Sequence, residues 1–220
     1  MNVTFQDVKN SPEIRTYITQ ADASLLALGF TEHSFAHVGK CADVAARILT
    51  ALGYAPREVE LARIAAYMHD IGNVVNRHDH AISGATMAFR ILDNMGMEPS
   101  DVAAVITAIG HHDDSTAFPV NAIAAALILA DKTDVRRSRV RNADITNFDI
   151  HDRVNYAVER SEVLLDLTAK TVTLALSINT QVCAVMDYFE IFLQRMVLCR
   201  KAAEFFHLSF HLEINGQILL

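Results

Sequence analysis

Histidines and aspartates set inside apolar, helically spaced sequence constrain this chain more than any other feature. His37, His69-Asp70, His80, His111-His112 and Asp131 are spread over the first two thirds of its 220 residues, and all but one lie in or beside an apolar helical pattern. Imidazoles and carboxylates are costly to bury unless they are paired or hold a metal. The fold must therefore bring these side chains to one another or turn them to water. Seven such groups are enough for two metal ions sharing one bridging carboxylate, with neutral imidazoles and ionised oxygens as ligands. That set points to a metal-dependent hydrolase.

Composition narrows the field. With 51% hydrophobic residues, the chain can bury a sizeable core as one domain, or as one domain with a smaller appendage. A formal charge of -7 argues against general nucleic-acid binding, which needs a broadly basic face. The opening MNVTFQDVKN has no basic stretch followed by an apolar one, so no signal peptide is expected. The longest apolar run, Ala122 to Ala130, falls well short of the roughly 20 residues that span a bilayer, and a soluble protein with no membrane association is expected. Cys41, Cys183 and Cys199 are odd in number, widely separated and set among apolar neighbours. They read as reduced core thiols of a cytoplasmic protein, without the close cysteine pairs of a structural zinc site.

Along the chain, Asp22 to Leu28 reads as the end of a first helix, stopped at Gly29. Thr31 caps the next, which runs through His37 to about Leu52 on a stripe of Val38, Cys41, Val44, Ala45, Ile48 and Leu49. Pro56 opens a third helix ending in YMHDIGN, and further helices are expected at roughly 80–95, 99–111 and 119–137. Beyond Phe148 the period changes. TVTLALSI alternates, which predicts strands over Ser161 to Leu167 and Lys170 to Ile178. A helix at about 180–206 and a strand at roughly Leu208 to Ile214 follow. The fold class is mainly α: a helical metal-binding domain over 1–147 with a small C-terminal α+β appendage, strand-strand-helix-strand, over 148–220. Three strands leave edges to be covered, so a homodimer is expected.

Each candidate has a competing structural reading. A lone helical histidine such as His37 is often satisfied by a neighbouring carbonyl, and His33, one turn earlier, shares its face. His37 is preferred as the ligand, with His33 in support or turned to solvent. His69-Asp70 closes an apolar helix: either the helix dipole favours the histidine while the aspartate faces water, or a cation keeps a buried carboxylate ionised. His80 and His111-His112 could belong to solvated turns. Asp131 could pair with Lys132 or Arg136, and Asp134 could accept from a ligand histidine.

The order His37, His69-Asp70, Asp131 resembles the H…HD…D signature of the HD-domain metal-dependent phosphohydrolases, over roughly residues 30–140. HVGKCADVA is similar to that family's first helix, MHDIGN to its namesake motif and LILADKTD to its last ligand helix. HAISG from His80 and GHHDD around His111-His112 resemble the extra histidines of the two-metal branch, which includes cyclic-dinucleotide phosphodiesterases. Where that branch carries Gly-Tyr-Pro, this chain has STAFPV. The resemblance implies one ion on His37, His69, Asp70 and Asp131, and a second on His80, His111 and His112, with Asp70 bridging. One or two divalent ions are expected, two being favoured, and manganese, iron, cobalt, nickel and zinc all suit the ligands. Two such ions can generate a nucleophile from water and neutralise charge on a phosphoryl group.

Asp70 and Lys132 are the expected catalytic residues. Arg136 and Arg137, from DVRRSRVRN, are candidates for the substrate phosphates, a set of structural ion pairs being the competing reading. Asp113 or Asp114 could protonate a leaving group. The implied activity is hydrolysis of a small phosphomonoester or phosphodiester, such as a nucleotide. A di-iron oxygenase or a catalytically silent nucleotide-binding regulator are the alternatives on the same fold.

Overall fold

The longest apolar run of the sequence lies at the centre of the computed structural model, which describes residues 3–219. In chain order the helical part comprises α1 (Phe5–Asn10), α2 (Pro12–Ala27), α3 (Phe35–Ala51), α4 (Pro56–Met68), a 3-10 turn (Ile71–Val74), α5 (His80–Asn94), α6 (Pro99–Gly110), α7 (Ala122–Lys132) and α8 (Ile150–Ala157). Every residue of α7 from Ile123 to Ala130 is buried, and this helix packs against α3, α4 and α6. Pro12, Pro56 and Pro99 stand in first turns, where a missing N–H removes no helical bond.

The remainder is β1 (Val158–Asp166), β2 (Thr171–Ile178), α9 (Val185–Phe205), β3 (Ser209–Ile214) and β4 (Gln217–Ile218). Among the described residues these strands form one sheet in the order β1-β2-β3-β4. β1 and β2 pair antiparallel, α9 carries the chain over so that β2 and β3 pair parallel, and β4 folds back antiparallel on β3. The predicted alternation holds: Val172, Leu174, Leu176 and Ile178 are buried, as are Phe210, Leu212 and Ile214. α9 packs on these strands and on α7, so sheet and helices share one apolar core. The mainly α fold with a small C-terminal sheet is as the sequence led us to expect. All three cysteines are buried and free. No helix among the described residues is long and apolar enough to cross a membrane.

Several bounds differ from expectation. The first helix is two, because Ser11 interrupts it and its hydroxyl accepts from the Ile14 N–H as the cap of α2. Ser34, not Thr31, caps α3. The helix expected at 119–137 is shorter at both ends: the Asn121 side chain caps it through the Ala124 N–H, and it stops at Lys132. α8 and β4 were not anticipated.

Two glycines bring the turn after α4 against the start of α5. A Cβ on Gly72 would overlap the His80 carbonyl oxygen, and one on Gly84 would lie 3.2 Å from the His69 carbonyl oxygen. By contrast, a Cβ on Gly39, inside α3, would meet nothing within 4 Å. We expect Gly72→Ala to lower the unfolding free energy by about 1–3 kcal/mol through overpacking, and Gly39→Ala to raise it by about 0.5–1 kcal/mol by removing backbone freedom from a helix. Denaturant unfolding of both variants checks the pair, and equal effects would contradict the close approach.

Candidate metal centre

The C-terminal ends of α4, α6 and α7 meet at one place. His69 is the C-cap of α4, His111 the C-cap of α6, and Asp131 is the penultimate residue of α7. Helix C-termini carry partial negative charge and unpaired carbonyls, so a carboxylate at such an end is destabilised unless a cation answers it. His37 enters from the first turn of α3 and His80 is the first residue of α5.

Asp70 sits between two groups of imidazoles. Its Oδ2 lies 3.2 Å from His69 Nε2 and 3.7 Å from His37 Nε2. Its Oδ1 lies 3.5 Å from His80 Nε2 and 4.0 Å from His112 Nε2. Asp131 Oδ1 closes the first group, 3.3 Å from His37 Nε2 and 3.8 Å from His69 Nε2. In the second group His80 Nε2 and His112 Nε2 are 3.2 Å apart.

The outer ring nitrogens settle which way these imidazoles face. Nδ1 of His69 donates to Ala66 O (2.7 Å), that of His112 to Ile109 O (2.6 Å) and that of His80 to Arg77 O (3.1 Å). A carbonyl can only accept, so Nδ1 carries the proton, and in the neutral ring Nε2 then presents its lone pair inward. His37 Nδ1 meets Asp134 Oδ2 at 2.8 Å, a carboxylate support of the kind that orients metal-binding histidines.

This donor set fits a divalent cation. His69 Nε2 and Asp70 Oδ2 are buried and, despite their proximity, neither makes a hydrogen bond among the described residues. Unpaired buried polar atoms are expensive. Ligand atoms of His37, His69 and Asp70 lie within 4.8 Å of one another, as do those of Asp70, His80 and His112, and Asp70 is common to both groups. Burial, then the charges of His69 and Lys132, pushes the His112 pKa down to about 3, which keeps it a neutral ligand. Burial also lowers His80 against the pull of Asp70. For Asp70 burial opposes ionisation, but His69 holds it well below the usual carboxylate range. For Asp131 burial is likewise overcome, chiefly by Lys132. His69 moves upward despite its burial, because Asp70 and Asp131 draw positive charge to it. Cys41 Sγ lies 3.8 Å from His37 Nε2 and joins His37 and Asp131 in a further close group; burial pushes its thiol well above the ordinary value.

Of the seven expected ligands, His111 stands apart. Its Nδ1 donates to Thr107 O at 2.9 Å, and its ring joins none of the close ligand groups among the described residues. Lys132 is buried beside the site, its Nζ 2.6 Å from Asp131 Oδ2 and 2.9 Å from Asp114 Oδ1. Arg195 of α9 reaches Asp114 Oδ2 at 3.3 Å. Asp113 lies 3.8 Å from His80 Nδ1. His33 stacks edge-on to His37, with ring centroids 5.3 Å apart, and its Nδ1 bonds Thr31 O. Asp134, fully buried, meets Lys40 Nζ at 2.9 Å and Arg136 Nε at 3.0 Å.

Arg136 and Arg137, the expected phosphate candidates, are engaged by other groups of the protein. Because α7 stops at Lys132, both fall on the following turn, which faces Glu32 and α8. Arg136 bridges Asp134 and Glu32 (2.8 Å). Arg137 donates to Tyr156 O (2.7 Å) and lies over the Tyr156 ring. Among the described residues, neither contacts a ring of the histidine cluster. The sequence reading also passed over Asn73, whose amide donates to both the backbone and side chain of Asp70 at 2.9 Å, and Arg77, whose Nη1 lies 3.3 Å from His80 Nε2. Asn73 was legible only as a helix stop and Arg77 only as a loop residue.

The family model described as HD domain matches residues 34–190, a span that contains every residue of the cluster. Uncharacterized protein MJ1020 of Methanocaldococcus jannaschii is 24% identical over 182 residues, covering 72% of this chain and 70% of that protein. No solved structure matches the chain significantly.

Asp134→Ala should weaken metal affinity about 10–100-fold by releasing the His37 ring, and His112→Ala should lower bound metal per chain while His111→Ala leaves more of it. Elemental mass spectrometry on protein purified without chelator checks both. Equal losses from the two histidine variants would contradict the separation seen here.

Proposed function

The chain belongs to the HD domain family, and on that footing we propose that it is a metal-dependent phosphohydrolase acting on the phosphate ester of a small molecule. The observation that carries this reading is Asp70, whose two oxygens face different imidazole pairs. We assign His37, His69, Asp70 and Asp131 to one divalent ion and His80, His112 and the shared Asp70 to a second. Bound there, divalent ions lower the pKa of water and neutralise charge developing on a phosphoryl group.

The chain's own part is orientation and charge. Lys132 engages Asp131 Oδ2, which leaves Oδ1 turned towards His37 and His69. Asn73 holds Asp70 Oδ1 on the side of His80 and His112. Asp134 fixes the His37 ring from behind. Asp114 is engaged by Lys132 and Arg195, so the sheet-bearing unit adds one cation to the same network through α9. We divide the chain accordingly, with the chemistry in 1–147 and support from 148–220. β1 is an outer strand of the sheet, and pairing of that edge with a second copy would give a homodimer; a monomeric mass in solution would remove this part.

Asp70→Ala is expected to abolish both metal binding and turnover, since one residue serves both groups. Metal content by elemental mass spectrometry, followed by phosphate release from mono- and diesters with the metal found, tests the reading. Retained metal and turnover in the variant would overturn it, and oxygen consumption by an iron-loaded protein without phosphate release would replace hydrolysis with oxidation.

A further inference from the structure

A groove of about 640 Å³, lined by no residue of the histidine cluster, opens between α3 and the outer strand β1. Its volume falls within the usual range for small-molecule sites. One stripe of α3 supplies Lys40, Val44 and Arg47 to it, so a cation stands at each end of an apolar middle. The two cations are seven residues apart on the helix, which places their backbone positions roughly 10 Å apart along its axis. Val163 and Leu164 of β1 line the opposite side.

Arg47 is exposed and is fixed by one hydrogen bond, from its Nη2 to Val163 O at 2.9 Å. It has no carboxylate partner among the described residues, which leaves its other N–H groups to water or a ligand. The acids that line the groove, Asp43 and Glu162, are each engaged by an arginine outside the lining: Arg63 at 2.9 Å and Arg160 at 2.8 Å. Their charge is answered, and that of Arg47 is not.

Lys40, at the other end, connects the groove to the metal centre. Its side chain is 34% exposed and its Nζ lies 2.9 Å from Asp134 Oδ1, while Oδ2 of the same carboxylate supports His37 Nδ1 at 2.8 Å. Asp134 also has Arg136 Nε at 3.0 Å and Arg139 Nη1 at 3.7 Å. An anion in the groove can therefore draw Lys40 away without leaving a buried carboxylate uncompensated. Ser161 Oγ donates to Thr133 O (3.2 Å), which ties β1 to the turn that carries Asp134.

We propose that this groove is an effector site for a small dicarboxylate, an apolar chain with an acid group at each end, received by Arg47 at one end and by Lys40 at the other. The site stands independently of the phosphohydrolase reading; its coupling to His37 rests on the metal assignment. A carboxylate that draws Lys40 from Asp134 leaves Asp134 a stronger acceptor for the His37 Nδ1–H, which makes Nε2 a better metal donor. Metal and dicarboxylate then tighten each other by the same factor. Pairing of a second copy at Val163 would displace Arg47, so a filled groove belongs to the unpaired edge of β1.

The test is calorimetric titration of the full chain, loaded with the metal found on purification, with three acids. Octanedioate spans the groove, pentanedioate carries both charges on too short a chain, and octanoate carries one charge. Octanedioate should bind at least about tenfold more tightly than either of the others. Carboxylates bound directly to the metal ions would show no such preference for length. Arg47→Ala should bring octanedioate and pentanedioate within about twofold of each other, and Arg47→Lys should restore part of the difference. Protein stripped of metal should bind octanedioate about fivefold less tightly, and Lys40→Met should abolish that dependence on metal. Equal affinity for the three acids, or a preference for length that survives Arg47→Ala, overturns the site. Equal octanedioate affinity with and without metal overturns its coupling to His37.

Discussion

Asp70 carries a charge that a protein interior cannot accommodate alone. It is buried, burial by itself would raise its pKa, and only the surrounding groups keep it ionised. Removing His69, the neighbour that chiefly offsets its burial, would leave an uncompensated charge in low dielectric, which is among the most destabilising changes a core can suffer. Much of the local architecture answers that requirement. The turn of Ile71 to Val74 is pressed against α5 by the absence of side chains at Gly72 and Gly84, which brings His80 to one carboxylate oxygen. The ends of α4 and α7 bring His69 and Asp131 to the other, and their own carbonyl ends add negative potential. The cluster is thus a concentration of negative charge and inward lone pairs, the combination a divalent cation complements.

A second layer holds the first. Asp134 is tied to His37, Lys40 and Arg136, so the ring that enters from α3 is fixed from the turn after α7. On the opposite side, Asp131, Lys132, Asp114 and Arg195 form a chain of alternating charge. Its last member lies on α9, which also covers the inner face of the sheet. The C-terminal unit is therefore joined to the site electrostatically as well as through the shared core. The arginine-rich segment of this acidic protein serves these layers: Arg136, Arg137 and Arg139 support loops and carboxylates.

How far the fold was legible depended on the surroundings of each element. α3 and α5 bury one face, and their stripes are plain in the sequence. β2 buries every second residue, so TVTLALSI announced itself. α7 is buried on all sides from Ile123 to Ala130; with no polar face there is no phase to show where it ends, and the expected helix ran several residues too far at each end. α8 has eight residues and β4 two, too few for either period to repeat. Ser11 and Ser34 decided helix starts by single hydrogen bonds, a signal that several nearby residues could equally have provided.

The amino-acid sequence by itself determined the chemistry on offer: which imidazoles and carboxylates occur, that they lie at the ends of apolar helices, and that the chain is mainly helical with a period-two segment near its C-terminus. Tertiary structure decided how they are used. His111 caps α6 and His112 follows it outside the helix, so no helical phase relates the two rings. The path of the chain out of α6 determined that His112 turns its Nε2 to Asp70. Likewise, the end of α7 at Lys132 determined that Arg136 and Arg137 face Glu32 and α8. Glu32 and Arg136 are far apart in sequence and carry no shared motif. Their proximity is a property of packed helices and loops, because the distance between side chains so widely separated along the chain is set by the core and not by local spacing.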